Sequence, residues 1–386
     1  MDWILECSGC GATRGPEGLP SVCQACQRPW LVRYPTRVPS LADRTEVRRG
    51  HGMWRFRPFL PLAPDERPIS LGEGDTPLLH LARLGARYGF DQLWLKDEGT
   101  NPTGSFKSRG LSAAITRAVA AGAERFVIPT AGNAGVAAAA YGARAGARVR
   151  VYAPSGTPSV ILDQIVSYGG ELVLLDGHIG DCGREARAYA SAAGAVDLST
   201  LREPYRIEGK KTLGLEVAMQ LRWSLPDAIV YPTGGGTGLI GMWKVFRELG
   251  AAGWVDDPPP RLYSVQASGC APVVRAWERG ADRCEPWPAP ATLASGLRVP
   301  APLGDRLILR ALRETGGGAV AVSDDRILAM AREVPPTEGI DPAPEGAAAL
   351  AGAVALLERG EIRAHERIVV FNTGAGWLYR PLGQIA

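Results

Sequence analysis

No apolar stretch in this sequence approaches the roughly 18 residues that a bilayer-spanning helix requires. Residues 1–6 also lack the basic-then-apolar grammar of a secretory signal, so no membrane partner is expected and the cytoplasmic compartment is. Nor is there a surplus of one charge: 43 basic and 40 acidic residues leave a net +3, with arginines interspersed among acids. Such a surface offers no footprint for nucleic acid. No internal repeat is visible. The run Pro258-Pro259-Pro260 is too brief for a domain linker and reads as a loop into the strand that begins at Arg261. Seven cysteines make an odd count, and in a reducing compartment they are not a disulfide framework.

What is present points to a large soluble protein. A chain of 386 residues exceeds one compact domain, so two lobes are expected, with the cleft between lobes a natural ligand site. The hydrophobic fraction of 46% supplies a sizeable core and argues against disorder. Four cysteines have a pattern: Cys7-x-x-Cys10 and Cys23-x-x-Cys26 are two knuckles separated by a Gly- and Pro-rich gap. Four thiolates on two tight turns can close a tetrahedron around zinc and leave no position open for water, so the expected zinc is structural. The alternative is a degenerate, metal-free remnant. Cys182, Cys270 and Cys284 lack paired spacing and read as buried or incidental thiols.

Residues 31–70, rich in Pro and Arg, read as an extended arm. Beyond them, short apolar runs at 93–96, 125–129, 147–152, 171–175, 228–231, 261–265 and 367–371 read as buried strands. Helical stretches fit at 105–121, 135–145, 158–168, 180–193 and 238–249. Alternation of this kind implies an α/β fold with parallel sheets, whose ligands sit where strand ends enter helices.

Several loops fall at such strand ends. In Asn101-Pro102-Thr103-Gly104-Ser105-Phe106-Lys107, Pro102 and Gly104 favour a turn and Ser105 can cap the following helix. Lys107 then projects from the first helical turn, where the N-terminal field disfavours its protonated form and supplies a neutral amine for carbonyl chemistry. An isolated lysine would read as an ordinary surface residue. Thr233-Gly234-Gly235-Gly236-Thr237-Gly238 follows a strand and opens a helix, so its backbone N–H groups can ring a phosphate; alone, it could be a plain turn.

Taken in order, LGEGDTPL (71–78), KDEGTNPTGSFKSRG (96–110), TAGNAG (130–135), EPYRIEGKKT (203–212), PTGGGTG (232–238) and FNTGAG (371–376) resemble the motifs of the threonine synthase branch of fold-type II pyridoxal-phosphate enzymes, the tryptophan-synthase-β-like family. The resemblance runs from Leu71 to Leu378, and the cysteine knuckles resemble an N-terminal feature of many threonine synthases. It implies two open parallel-sheet lobes: 34–112 with 205–386 as a large cofactor-binding domain, and 113–204 as a small α/β domain. A zinc-ribbon-like segment, 1–33, precedes them.

The same resemblance implies pyridoxal 5'-phosphate on Lys107 as a Schiff base. Its phosphate would lie on Gly234, Gly235, Gly236, Thr237 and Gly238, its 3'-oxygen on Asn133 and its pyridine nitrogen on Thr373. Thr130 and the amides after it would hold a substrate carboxylate, while Arg206 and Lys211, with Thr103 and Ser105, would hold a substrate phosphate. The implied activity is conversion of O-phosphohomoserine and water to threonine and phosphate, on a small amino-acid substrate, in a chain that could form a homodimer. The family usually has FKDRG where this chain has Phe106-Lys107-Ser108-Arg109-Gly110, a string that threonine and serine dehydratases also approach. A dehydratase or another β/γ-replacement enzyme is the alternative, and a non-catalytic zinc-ribbon module is the alternative from another class.

Overall fold

The computed structural model describes residues 3–36 and 38–379. The chain divides into two compact units, Met1–Asp75 with Asn101–Thr212 and Tyr379–Ala386, and Thr76–Thr100 with Leu213–Leu378. The stretch 113–204 therefore lies wholly in the first unit, which also takes in the cysteine segment and most of 34–112.

In the first unit Ile4–Cys7 pairs antiparallel with Thr13–Arg14 and with Trp30–Arg33, a small sheet that holds the cysteine knuckles. The arm after it is more regular than its composition suggests. Ser40 and Asp43 cap each other's backbone N–H groups and start the helix Leu41–Arg49; Met53–Phe59 forms a 3-10 helix. Met53, Trp54, Leu60 and Leu62 then pack on Ala113 of the helix Lys107–Ala120, which docks the arm.

The remainder of this unit is a parallel sheet in the order Glu171–Leu175, Arg148–Pro154, Arg125–Pro129, Val196–Asp197. The helices Asn133–Arg144, Ser159–Ser167 and Ile179–Ala193 link its successive strands. The sequence 125–129 alternates nothing: Phe126, Val127 and Ile128 are all buried, as a strand covered on both faces requires.

The second unit is built on six strands in the order Gly318–Val322, Arg261–Ala267, Ala228–Pro232, Arg367–Asn372, Gln92–Asp97, Leu78–His80. All neighbours are parallel except the last pair. Its core gathers Val230, Val265, Val320 and Val370 from the strands against Ala347, Leu350, Ala351 and Val354 of the helix Pro344–Glu358. The two parallel sheets meet the expected fold class. The helix Tyr205–Gln220, buried from Tyr205 to Ala218, begins in the first unit and ends in the second.

Each unit buries a charged group at a joint. In the second, Lys96 donates to Glu216 at 2.8 Å, to the Thr76 carbonyl at 2.7 Å and to Gln220 at 2.9 Å, joining a strand to the long helix. In the first, the Glu73 carboxylate accepts from Trp54 Nε1 at 2.9 Å, Ser112 Oγ at 2.5 Å, Tyr141 Oη at 2.6 Å and the Leu71 N–H at 2.9 Å. Glu73→Ala strands these donors in the interior and should cost about 3–5 kcal/mol. The midpoint of urea unfolding should fall accordingly, and an unchanged midpoint would show that the carboxylate is dispensable.

Candidate active site

In the first unit, Lys107 is the opening residue of the helix Lys107–Ala120, as the sequence implies. The cap differs from expectation. Phe106 holds the N-cap position, in helical conformation and without a side-chain cap, so Ser105 does not cap the helix. The Ser105 hydroxyl is instead buried without a hydrogen-bond partner. Thr103 Oγ1 lies 2.7 Å from Ser108 Oγ, which gives the serine of this chain's FKSRG string a local role in closing the turn. The Lys107 ammonium sits 4.4 Å from the centre of the Phe106 ring.

Asn133 opens the helix Asn133–Arg144 in place of lying in the turn before it. Its amide nitrogen is 3.4 Å from Tyr379 Oη, and its Oδ1 is buried without a hydrogen-bond partner. Thr130 shapes the approach: its hydroxyl both donates to the Gly132 carbonyl at 2.9 Å and accepts from the Gly132 N–H at 3.1 Å.

The segment 203–212 places its charges in different directions. Glu203 accepts the N–H groups of Tyr205 at 2.8 Å and Arg206 at 3.1 Å, capping the long helix. Burial pushes the Glu203 carboxyl up to about 7, against the pull of the Arg206 guanidinium. Arg206 is 1% exposed, and burial lowers its pKa as well. One of its nitrogens donates to the Leu198 carbonyl at 2.6 Å, while Nε and Nη2 have no hydrogen-bond partner among the described residues. Lys211 does not join it. Its ammonium pairs with Glu208 at 2.8 Å, donates to the Phe59 carbonyl at 2.6 Å and lies over the Tyr34 ring. Tyr34 donates to the same Glu208 at 2.6 Å, so Lys211 fastens the arm. Residues 202–205 also line a cavity of about 450 Å³ under the ribbon loop 19–21.

In the second unit, the glycine loop is anchored by the Thr233 N–H, which donates to the Val265 carbonyl at 2.8 Å, and ends at the helix Thr237–Ala251. Gly236 caps that helix at φ 81°, a left-handed conformation that favours glycine. The loop has no room for side chains: a Cβ at Gly234 would stand 2.2 Å from the Gly296 carbonyl oxygen, and one at Gly238 2.0 Å from Tyr231 Oη. Gly235 lies between these positions.

Thr373 follows the strand Arg367–Asn372 and is buried. Its neighbour Asn372 donates to Asp97 at 2.8 Å, and Asn372 Oδ1 accepts from the Ala343 N–H at 3.2 Å. Burial raises the Asp97 pKa. Sequence reasoning missed Glu345, at the start of the helix Pro344–Glu358. It accepts the Gly296 N–H at 2.6 Å and so pins the loop that packs on Gly234. Only the short buried acid after a helix-starting proline could have signalled it.

The four knuckle sulfurs all lie within 4.8 Å of one another, with Cys7 and Cys26 at 3.3 Å and Cys10 and Cys23 at 3.8 Å. Ligands on a zinc tetrahedron with bonds of about 2.3 Å would stand about 3.8 Å apart, so the cluster has the right size. Burial pushes the Cys7 thiol up, but the Cys10 and Gly9 N–H groups and the Cys26 thiol outweigh it and bring it to about 7. Cys26, beside Cys7, is pushed up to about 11. Cys182 and Cys270 are buried, Cys284 half-buried.

Residues 69–374 match the model of the family described as pyridoxal-phosphate dependent enzyme. The threonine synthase of Methanosarcina acetivorans is 33% identical over 371 residues, 96% of this chain and 91% of that one. That of Methanocaldococcus jannaschii is 32% identical over 97% of this chain and 92% of its own length. The chain belongs to the threonine synthase family of pyridoxal-phosphate-dependent enzymes. Two solved structures share the fold: maize serine racemase, with a TM-score of 0.69 and 22% identity over 80% of this chain and 90% of that one, and a T.th. threonine deaminase, with 0.68 and 24% over 89% and 100%.

The residues present fit that cofactor. In the first unit an amine opens a helix and two buried polar atoms, Ser105 Oγ and Asn133 Oδ1, lack partners; in the second, a side-chain-free loop ends at a helix N-terminus. Among the described residues no helix is long and apolar enough to cross a membrane. Gly234→Ala should force the 296 carbonyl aside, costing about 1–3 kcal/mol in overpacking. It should also lower the pyridoxal phosphate retained after gel filtration. A variant with wild-type melting temperature and full cofactor would refute the importance of this close approach.

Proposed function

We propose that this chain is a threonine synthase of the cytosol, converting O-phosphohomoserine and water to threonine and phosphate, with its cofactor attached at Lys107. In this reading the loop 234–238 holds the cofactor phosphate, Asn133 its ring oxygen and Thr373 its pyridine nitrogen. Pyridoxal phosphate, when bound, supplies an electron sink for bond breaking next to the amino-bearing carbon. The chain itself does the positioning and proton handling. Lys107 Nζ, freed once substrate takes its place, accepts the Cα proton. The turn at Thr130, with its backbone amides, receives the α-carboxylate.

Arg206 is the observation that carries the substrate assignment. A buried guanidinium with two nitrogens lacking hydrogen-bond partners calls for an anion, and a phosphate can take both donors together. The unpartnered Ser105 hydroxyl adds a neutral donor in the same unit, and Thr103 a second. Threonine and serine bring no such anion, so the dehydratase alternative leaves those donors unmet.

If Arg206 binds the substrate phosphate, each charge-assisted contact is worth about 1.5–3 kcal/mol. Arg206→Ala should then cut kcat/KM for O-phosphohomoserine by roughly 10- to 150-fold, while side activity on threonine or serine falls much less. Release of phosphate and of ammonia, followed in parallel, separates the cases. Equal losses would make Arg206 structural, and a wild-type enzyme that deaminates threonine but ignores O-phosphohomoserine would be a dehydratase.

For the knuckles we propose one structural zinc held by Cys7, Cys10, Cys23 and Cys26. Metal analysis of protein prepared without chelators should find about one zinc per chain, and Cys23→Ser should lower both that content and the melting temperature. Protein that contains no zinc and takes none up on addition would overturn this.

A further inference from the structure

The string 203–212 offers two adjacent lysines, and Lys210, the one that sequence reasoning passed over, is the one that shares the Phe106 ring with Lys107. Close backbone contact puts it there. A Cβ at Gly209 would stand 2.1 Å from the Arg109 carbonyl oxygen, and one at Gly110 would stand 2.9 Å from Lys210 Cε. The helices Lys107–Ala120 and Tyr205–Gln220 thus touch where both lack side chains. Lys210, fully buried, reaches back along this contact to the start of the lysine helix. Its ammonium donates to the Phe106 carbonyl and lies 3.9 Å from the Phe106 ring centre, the same ring that Lys107 approaches at 4.4 Å.

Two amines on one aromatic ring set a constraint on charge. A buried cation disfavours a second positive charge beside it, and the N-terminal field of the lysine helix acts in the same direction. Of the other charged groups on the two packed segments, Arg109 donates to Thr212 at 3.0 Å and Glu208 pairs with Lys211 at 2.8 Å, while Arg206 gives one nitrogen to the Leu198 carbonyl at 2.6 Å and keeps its other two for the anion assigned above.

We propose that Lys210 is a positioning residue for Lys107: it anchors the Phe106–Lys107 peptide and, as a neighbouring cation, keeps the Lys107 nitrogen weakly basic. The inference rests on the reading that Lys107 carries the cofactor. No bond to Lys210 forms or breaks. Its effect is to leave more of the Lys107 amine neutral, and so able to attack the cofactor carbonyl, at neutral pH.

The test uses the holoenzyme, whose visible absorption changes as the nitrogen linking it to the cofactor loses its proton. Lys210→Gln should raise the midpoint of that pH titration by about 1–2 pH units, and Lys210→Arg should leave it near wild type. Equal midpoints in wild type and Lys210→Gln would overturn the proposal, as would a Lys210→Arg variant that behaves like Lys210→Gln. Should Lys210→Gln fail to fold, Lys210→Arg against Lys210→Met makes the same comparison, and the wild-type chain can still refute the proposal. After removal of the cofactor, its rate of recapture should rise with pH to a midpoint at least about one unit below the ordinary lysine value of about 10.4; a midpoint at that value would sink the idea. Borohydride reduction and peptide mass mapping check the underlying reading separately: cofactor fixed to any lysine other than Lys107 would refute that reading itself.

Discussion

A carboxylate taken out of water must have its oxygens surrounded by donors, and Glu73 meets this demand by drawing on four parts of the first unit at once. Trp54 comes from the arm, Leu71 from the motif that contains Glu73 itself, Ser112 from the helix that Lys107 begins, and Tyr141 from the helix that Asn133 begins. The acid fixes those two helices relative to each other, and with them the two side chains assigned to the cofactor in this unit. Tyr141 feels the acid in return: burial and the nearby carboxylate raise its pKa well above the ordinary range. A residue outside the assigned cofactor contacts thus sets where the amine and the amide stand.

Helical spacing explains why three basic residues in ten positions have three different fates. Arg206 and Lys210 are four apart and share a face, which the glycine contact brings against the lysine helix. Lys211 is turned away by one further residue and meets Glu208 three positions before it, on the side of Tyr34 and Phe59. One face carries the cations proposed here to serve the substrate and Lys107, and the next neutralises its cation to hold the arm. A basic string in sequence is therefore not a basic surface.

Much of this was legible beforehand. Strands such as Arg125–Pro129 and Glu171–Leu175 match their expected limits, because short apolar runs between glycines admit few alternatives, although the second is an edge strand that is only half-buried. The limits of helices were less legible, since Asn133 and Thr237 each open a helix one or two residues earlier than periodicity suggests. The helices after 300 were not legible, and two of them for specific reasons. Asp324–Glu338 carries Pro335 and Pro336 in its last turns, and Pro344–Glu358 is buried on all sides and so has no polar face to mark its period. At the candidate site, residues in distinctive strings could be named from the sequence; Lys210 and Glu345 could not, because what singles them out is which backbone they approach, and that depends on tertiary packing.

The central sheet of the second unit has a consequence for how the protein is made. Gln92–Asp97 lies between the short strand Leu78–His80 and Arg367–Asn372, and the Asp97–Asn372 bond closes a separation of 275 residues. At a synthesis rate of about 5–20 residues per second, that stretch occupies a ribosome for roughly 15–55 s. Throughout this interval the apolar edge of Leu93 and Leu95 waits for a partner strand that does not yet exist. Such a nascent chain is a natural client for holding chaperones, and pauses in translation beyond residue 100 would lengthen its exposure.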